Sequence, residues 1–233
     1  VEALVRKRDA GGLIPPDRFI PLLESEFLIR HIDFFVLHTI CSLLATWRRA
    51  GATLVPVSVN LSRITLMERG IVGKVADVCD CYRVPHSYID LEITESVDKL
   101  SLESLTEISE RFREEGFSIS LDDFGARYCN MSILTRIRFN SVKIDKSIVD
   151  GICRNERARI VTKHSIEICN ELENARAVAE GIETHGQLDV LRSLHCHYRQ
   201  RYLFSPPLDI DVFEARYLFP SAFPLPLPTN SVS

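Results

Sequence analysis

Short apolar runs in this chain repeatedly end in residues that bind cations. Asn60 closes LVPVSVN, Glu92 and Glu95 lie at the end of YIDLEIT, Asp122 and Asp123 close FSISLDD, and Lys143 and Asp145 close SVKI. Glu180 and Glu183 follow ARAVA, and Gln200 ends a weaker run at HYRQ. Carboxylates gathered at one place repel: at ~4 Å and an effective dielectric of about 20, each like pair costs on the order of 4 kcal/mol. A cation has to sit among them. Oxygen ligands with one Asn suit Mg²⁺ or Mn²⁺, and the adjacent Asp122 and Asp123 can serve two ions a few ångströms apart. Two ions so placed clamp the attacking and leaving oxygens of a phosphodiester in line, and Lys143 adds positive charge near the developing oxyanion. Taken singly, a strand-end carboxylate is more often a helix cap or a surface ion pair. Caps, however, have no reason to accumulate at the same end of successive strands.

The elements that position these residues alternate. Runs with strand character lie at 1–7, 54–60, 88–94, 117–123, 141–144 and 175–179, with the weaker one at 197–200. Longer segments with helical spacing separate them, such as 32–51, 103–116 and 156–174. In the helix predicted from about Ser101 to Glu115, Leu102, Leu105, Ile108 and Phe112 share one face, and Gly51 and Gly116 close helices just before strands. Repeated strand–helix units imply a mainly parallel sheet with helices outside. The count fits a closed eight-stranded barrel better than an open sheet, and no Gly-rich phosphate loop follows the first strands. In such a barrel the strand ends open on one face, where the active site is built. Glu2, Leu4 and Arg6 alternate along the first run and so point to one side of it.

The 233 residues, 45% of them hydrophobic, are enough for one large core. A net charge of −4 gives nothing that favours binding to a nucleic-acid backbone or an anionic membrane. The longest apolar stretch, at 34–47, is too short and too interrupted to span a bilayer. Seven cysteines without a C-x-x-C read as reduced, mostly buried thiols. The Pro-rich stretch after Phe219 reads as a disordered tail, leaving one domain over 1–219 and the tail over 220–233.

The order of motifs resembles that of EAL domains: EALVR at 2–6, LIPPDRFIPLLE at 13–24, NLS at 60–62, EITES at 92–96, DDFG at 122–125, KID at 143–145, AEGIE at 179–183 and QRYLF at 200–204. The resemblance implies a modified (β/α)₈ TIM barrel whose first strand runs antiparallel and would lie upstream of Val1. It implies hydrolysis of cyclic di-GMP to linear pGpG with two divalent ions, Mg²⁺ or Mn²⁺. Carried over, Glu2, Asn60, Glu92 and Asp122 would hold one ion, and Asp122 would bridge to a second held also by Asp123. Glu180 would act at the second ion and its water as general base, Lys143 would orient that water, and Glu183 would support the site. Leu4, Arg6 and Gln200 would bind substrate, Arg6 at a phosphate, and Glu95 would anchor the loop after DDFG. The resemblance further implies a homodimer, attachment to an upstream sensor or GGDEF module, no nucleic-acid polymer as partner, and a cytoplasmic place, free or as part of a membrane-anchored protein.

The chain also departs from the family pattern. Where the family has Gly and two Ser after DDFG, it carries Arg127, Cys129 and Asn130 in the stretch Ala126–Asn130. Lys7 replaces a usual Trp, Arg201 a usual Gly, and His195 and His197 a usual Gly and Asp. An arginine at a glycine of positive φ costs roughly 1 kcal/mol or more. Reduced turnover is therefore expected, with a module that binds cyclic di-GMP or a protein partner without efficient hydrolysis as the alternative. A zinc site at His195–Cys196–His197 is disfavoured, because strand alternation puts Cys196 on the opposite face.

Overall fold

The computed structural model describes residues 1–94, 100–126, 131–172, 175–199 and 205–219. After a bridge between Glu2 and Ser58 come a hairpin of β1 (Lys7–Asp9) and β2 (Gly12–Ile14), then α1 (Ile20–Ser25) and α2 (Ile29–Arg49). From there strands and helices alternate: β3 (Val57–Asn60), α3 (Arg63–Leu66), α4 (Ile71–Cys81), β4 (Ile89–Thr94), α5 (Leu102–Glu114), β5 (Ser118–Phe124) and α6 (Ser132–Arg136). The series continues through β6 (Ser141–Ile144), α7 (Lys146–Val149), α8 (Glu156–Glu171), β7 (Arg176–Ala179), α9 (His185–Ser193), β8 (Tyr198–Arg199) and α10 (Ile210–Phe213). Among the described residues, β3 to β8 form one sheet in sequence order, every pair parallel.

Both faces of this sheet are occupied, and the sequence shows how. Val57, Val59, Leu91, Ile93, Ile119, Leu121, Val142, Ile144, Ala177 and Ala179 are buried in the core. The alternate positions carry Ser58, Asn60, Asp90, Glu92, Ser120, Asp122, Ser141 and Lys143, so the second face is polar in two successive layers. In the deeper layer the Ser58 and Ser120 hydroxyls donate to Asp90 at 2.9 and 2.7 Å, and Ser120 lies 2.7 Å from Ser141 Oγ. That network satisfies the Asp90 carboxylate and makes a hydrogen-bonded floor under the residues one layer above it.

The outer helices follow the periodicity. In α2 the buried residues Ile29, Asp33, Leu37, Ile40, Cys41, Leu44 and Trp47 fall on one stripe. By length and composition α2 is long and apolar enough to cross a membrane, but this stripe is that of a helix laid on a core. Gly51 (φ 79°) ends α2, with Ala52 N–H bonded to Trp47 O at 3.0 Å, and Gly116 (φ 90°) ends α5 in the same way. Leu105 and Phe112 of α5 are buried and Leu102 and Ile108 pack against the same core, the face the spacing predicts. Cys41, Cys79, Cys169 and Cys196 are buried free thiols. Cys196 is buried while His195 and His197 are exposed, although the three lie in the turn before β8 rather than in a strand, with His195 at φ 57°.

One expected element differs. The run at 1–7 is not a continuous strand: only Glu2 pairs with Ser58, through Ala3 N–H to Ser58 O at 2.9 Å and Ser58 N–H to Val1 O at 2.7 Å. Pairing resumes at Lys7 in a separate antiparallel hairpin, exposed and turned at Ala10–Gly11, with Gly12 (φ 117°) opening β2. Arg6, Lys7 and Arg8 offer no apolar side to bury, so the segment leaves the sheet once Glu2 is placed. The tail at 220–233 lies outside the described residues.

Candidate active site

Lys143, on β6, is the centre of the polar upper layer. It is 4% exposed, and its Nζ lies 3.0 Å from Asp122 Oδ1, 3.0 Å from Glu180 Oε1, 3.2 Å from Glu92 Oε2 and 3.3 Å from Glu2 Oε2. Burial alone would lower the pKa of such an ammonium, but the four carboxylates outweigh it and hold the group firmly protonated. Asn60 joins through its side-chain amide, which donates to Glu92 Oε2 at 3.5 Å.

The carboxylates divide into two groups that share one member. Oxygens of Glu2, Glu92 and Asp122 lie within 4.8 Å of one another, and so do oxygens of Asp122, Asp123 and Glu180. Regular alternation would put Asp122 and Asp123 on opposite faces. The β5–β6 register shows why it does not: Leu121 pairs with Val142 and Phe124 with Ile144, so β5 carries one extra residue opposite Lys143. This bulge, with Asp123 at φ 56°, turns both aspartates to the mouth. Aspartate tolerates that conformation because its short side chain bonds locally; here Asp123 N–H donates to Asp122 Oδ1 at 3.0 Å. Gly125 follows at φ 88°, where a Cβ would lie 2.1 Å from Ile148 Cδ1 on α7. The DDFG stretch thus turns sharply for two independent reasons.

Five carboxylates surround one ammonium, and the excess shows in their acidities. Burial, reinforced by Glu2, Asp122 and Asp90, pushes Glu92 up to about 8 despite Lys143. Burial with the Asp122 charge pushes Glu180 up to about 7, and burial with Asp122 and Asp145 raises Asp123. Without further cations the cluster relieves its repulsion by binding protons. Fully ionised, it carries four negative charges beyond Lys143, which is the charge of two divalent cations. The donor set, all oxygen and with a shared carboxylate, fits such ions.

The loops supply residues that the motif reading passed over. Gln187 of α9, buried at 6% exposure, accepts from Glu183 N–H at 2.8 Å and from Thr184 N–H at 2.9 Å, and Thr184 caps the helix in return. The spacing Thr184-x-x-Gln187 is a capping box readable in sequence. Asp33 of α2 accepts from Ser62 N–H at 2.9 Å and Thr65 Oγ1 at 2.6 Å, fixing the turn after Asn60. Burial raises the pKa of that carboxylate. No sequence pattern marks it, since it stands mid-helix, 27 positions before Asn60. Asp145 accepts from Ser147 N–H at 2.9 Å and caps α7, the ordinary structural role for a strand-end acid.

Not every expected residue joins the cluster. Glu183 is 60% exposed at the rim and pairs with Lys146. Leu4 is 43% exposed, and exposed Arg6 donates to Val5 O at 2.9 Å. Glu95, Gln200 and the stretch Arg127–Asn130 lie outside the described residues, as does Arg201.

A family model described as "EAL domain" matches residues 1–207. The chain belongs to the EAL domain family. It is 34% identical, over 97% of its length, to 29% of the cyclic di-GMP phosphodiesterase NbdA of Pseudomonas aeruginosa. It is 36% identical, over 89% of its length, to 26% of the oxygen sensor protein DosP of Escherichia coli. The chain thus spans about a quarter to a third of these relatives. Among solved structures, the PaMucR phosphodiesterase in complex with c-di-GMP superposes with a TM-score of 0.84 at 30% identity, covering 91% of this chain and 86% of that one. EAL domains have a modified TIM barrel, and this EAL domain has that fold. Enzymes of the family use divalent metal ions.

Proposed function

We propose that this EAL domain hydrolyses cyclic di-GMP to linear pGpG with two divalent ions, Mg²⁺ or Mn²⁺. The observation that carries the reading is the pair of oxygen clusters sharing Asp122 over one buried lysine. Glu2, Asn60, Glu92 and Asp122 would hold one ion, and Asp122 with Asp123 would hold the other, with Glu180 beside it. Bound there, the ions supply Lewis-acid charge and an activated water for in-line displacement at phosphorus. Glu180, which meets Lys143 Nζ at 3.0 Å beside Asp122, would accept the water proton at its carboxylate. Lys143 Nζ orients that water and offsets charge on the phosphoryl oxygens. Glu183 supports the loop that carries Glu180, and Leu4, Arg6 and Gln200 hold the substrate, Arg6 at a phosphate. The 3′ oxygen leaves, giving a linear product with one 5′-phosphate. Glu95 anchors the loop after DDFG.

The sequence of that loop favours reduced turnover, because Arg127, Cys129 and Asn130 replace a glycine and two hydroxyls of the family pattern. The domain works as a homodimer in this reading, supported by the exposed apolar side chains Met131, Ile160 and Val161 beside Gly125 and Ile148. Matching only 26–29% of DosP and NbdA supports attachment to further domains, and membership of the EAL family supports a cytoplasmic place. The test is chromatography of cyclic di-GMP incubated with the protein and Mn²⁺ or Mg²⁺. Formation of pGpG, abolished by Asp122→Asn, supports hydrolysis. Tight binding of cyclic di-GMP without product would make the protein a reader of the messenger.

A further inference from the structure

Lys146 opens α7 immediately after Asp145, and its side chain crosses from the loop after β6 to the loop after β7. Its Nζ donates to Glu183 Oε1 at 2.5 Å. Its stem lies against Gly181, where a Cβ would stand 2.4 Å from Lys146 Cγ, 2.5 Å from Cβ and 2.7 Å from Cδ. Gly181 also has φ 63°, so glycine there satisfies both the backbone conformation and the close approach of the stem. The backbone on the other side of Glu183 is held by the buried Gln187 carboxamide. Glu180 N–H is fixed to Ile144 O at 3.1 Å, at the end of the strand from which Lys146 departs.

We propose that Lys146 is a positioning residue for the Glu180–Glu183 loop, its stem seated on Gly181 and its ammonium holding Glu183 at the rim. The inference deepens the proposed hydrolysis and rests on it. Packing removes much of the lysine's freedom before the ion pair forms, which lets an exposed pair act on geometry. Held outward, the Glu183 carboxylate does not add to a cluster already rich in negative charge, and Glu180 alone enters from this loop.

Lys146→Met keeps the stem and removes the charge, whereas Lys146→Arg keeps the charge. For an exposed ion pair, Lys146→Met is expected to lower kcat roughly two- to fivefold with KM for cyclic di-GMP unchanged. Lys146→Arg restores most of the loss, and at ~1 M NaCl the wild-type protein falls to the level of Lys146→Met. In metal-free protein, amide hydrogen exchange over residues 180–184 is several-fold faster in Lys146→Met while β3 to β6 exchange as before. Unchanged kcat together with unchanged exchange overturns the inference. A raised KM at constant kcat also overturns it, because the lysine would then touch substrate. Absence of turnover in the wild-type protein would refute hydrolysis, and the exchange experiment would still decide the role of Lys146.

Discussion

Lys143→Met removes the cation at the centre of the site while preserving much of its volume. In the metal-free protein it leaves Glu2, Glu92, Asp122 and Glu180, now 3.0–3.3 Å from Lys143 Nζ, facing a thioether. Breaking a buried ion pair by deleting one partner costs about 3–5 kcal/mol, and at 4% exposure solvent screening offers little relief. For a chain of this size the loss corresponds to a fall of about 6–20 °C in Tm. The pH dependence has a definite sign. Glu92 and Glu180 already titrate at about 8 and about 7, above the ordinary carboxylate range, and losing the ammonium raises them further. The folded state then keeps protons that the unfolded chain has released, so stability falls as pH rises from the ordinary carboxylate range up to the folded pKa values. The deficit is therefore largest near pH 8 and shrinks toward pH 5. Circular dichroism melts in EDTA from pH 5 to pH 8 measure it, and added Mn²⁺ should raise the Tm of the variant more than that of wild type. A variant within about 2 °C of wild type at pH 8 in EDTA would refute the assembly of four carboxylates around Lys143.

Three further outcomes follow from the same geometry. Metal uptake near pH 7 should displace protons from Glu180 and Glu92, so calorimetry in two buffers of different ionisation enthalpy should report proton release and tighter binding as pH rises from 6 to 8; binding independent of pH would contradict the raised values. Gly125→Ala places a Cβ 2.1 Å from Ile148 Cδ1 at φ 88° and should cost about 1–3 kcal/mol in a denaturant melt; Ile148→Ala in the same chain should recover part of that, and independent additive losses would argue against the contact. Asp33→Ala deprives Ser62 N–H and Thr65 Oγ1 of their acceptor and should cost about 1–3 kcal/mol, with weakened Mn²⁺ binding through the displaced Asn60 turn. Unaltered stability and metal affinity would show that the turn holds itself.

Much of the fold was legible because the strands are short, apolar and β-branched and the helices have a single buried stripe. The runs at 54–60, 88–94, 141–144 and 175–179 each contain a strand of the sheet, and the run at 117–123 covers all of β5 but Phe124. Strand ends alone located Asn60, Glu92, Asp122, Lys143 and Glu180, because parallel strands bring those ends to one face. The first run misled, since a single bridge at Glu2 holds it and the turn at Ala10–Gly11 reverses the chain soon after. The bulge at Asp122–Asp123 was also invisible: strict alternation separates neighbours, and only the register against β6 shows an extra residue. Asp145 shows the opposite limit, a strand-end acid with the right position whose carboxylate caps a helix. Asp33 and Lys146 escaped because their partners are distant in sequence and no motif links them.

Anomalous diffraction from crystals equilibrated with Mn²⁺ tests the central claim most directly. Two peaks about 3.5–4 Å apart, both within ligand distance of Asp122 and one also near Asp123, are the predicted result. A single peak away from Asp122, or none at saturating Mn²⁺, would contradict it.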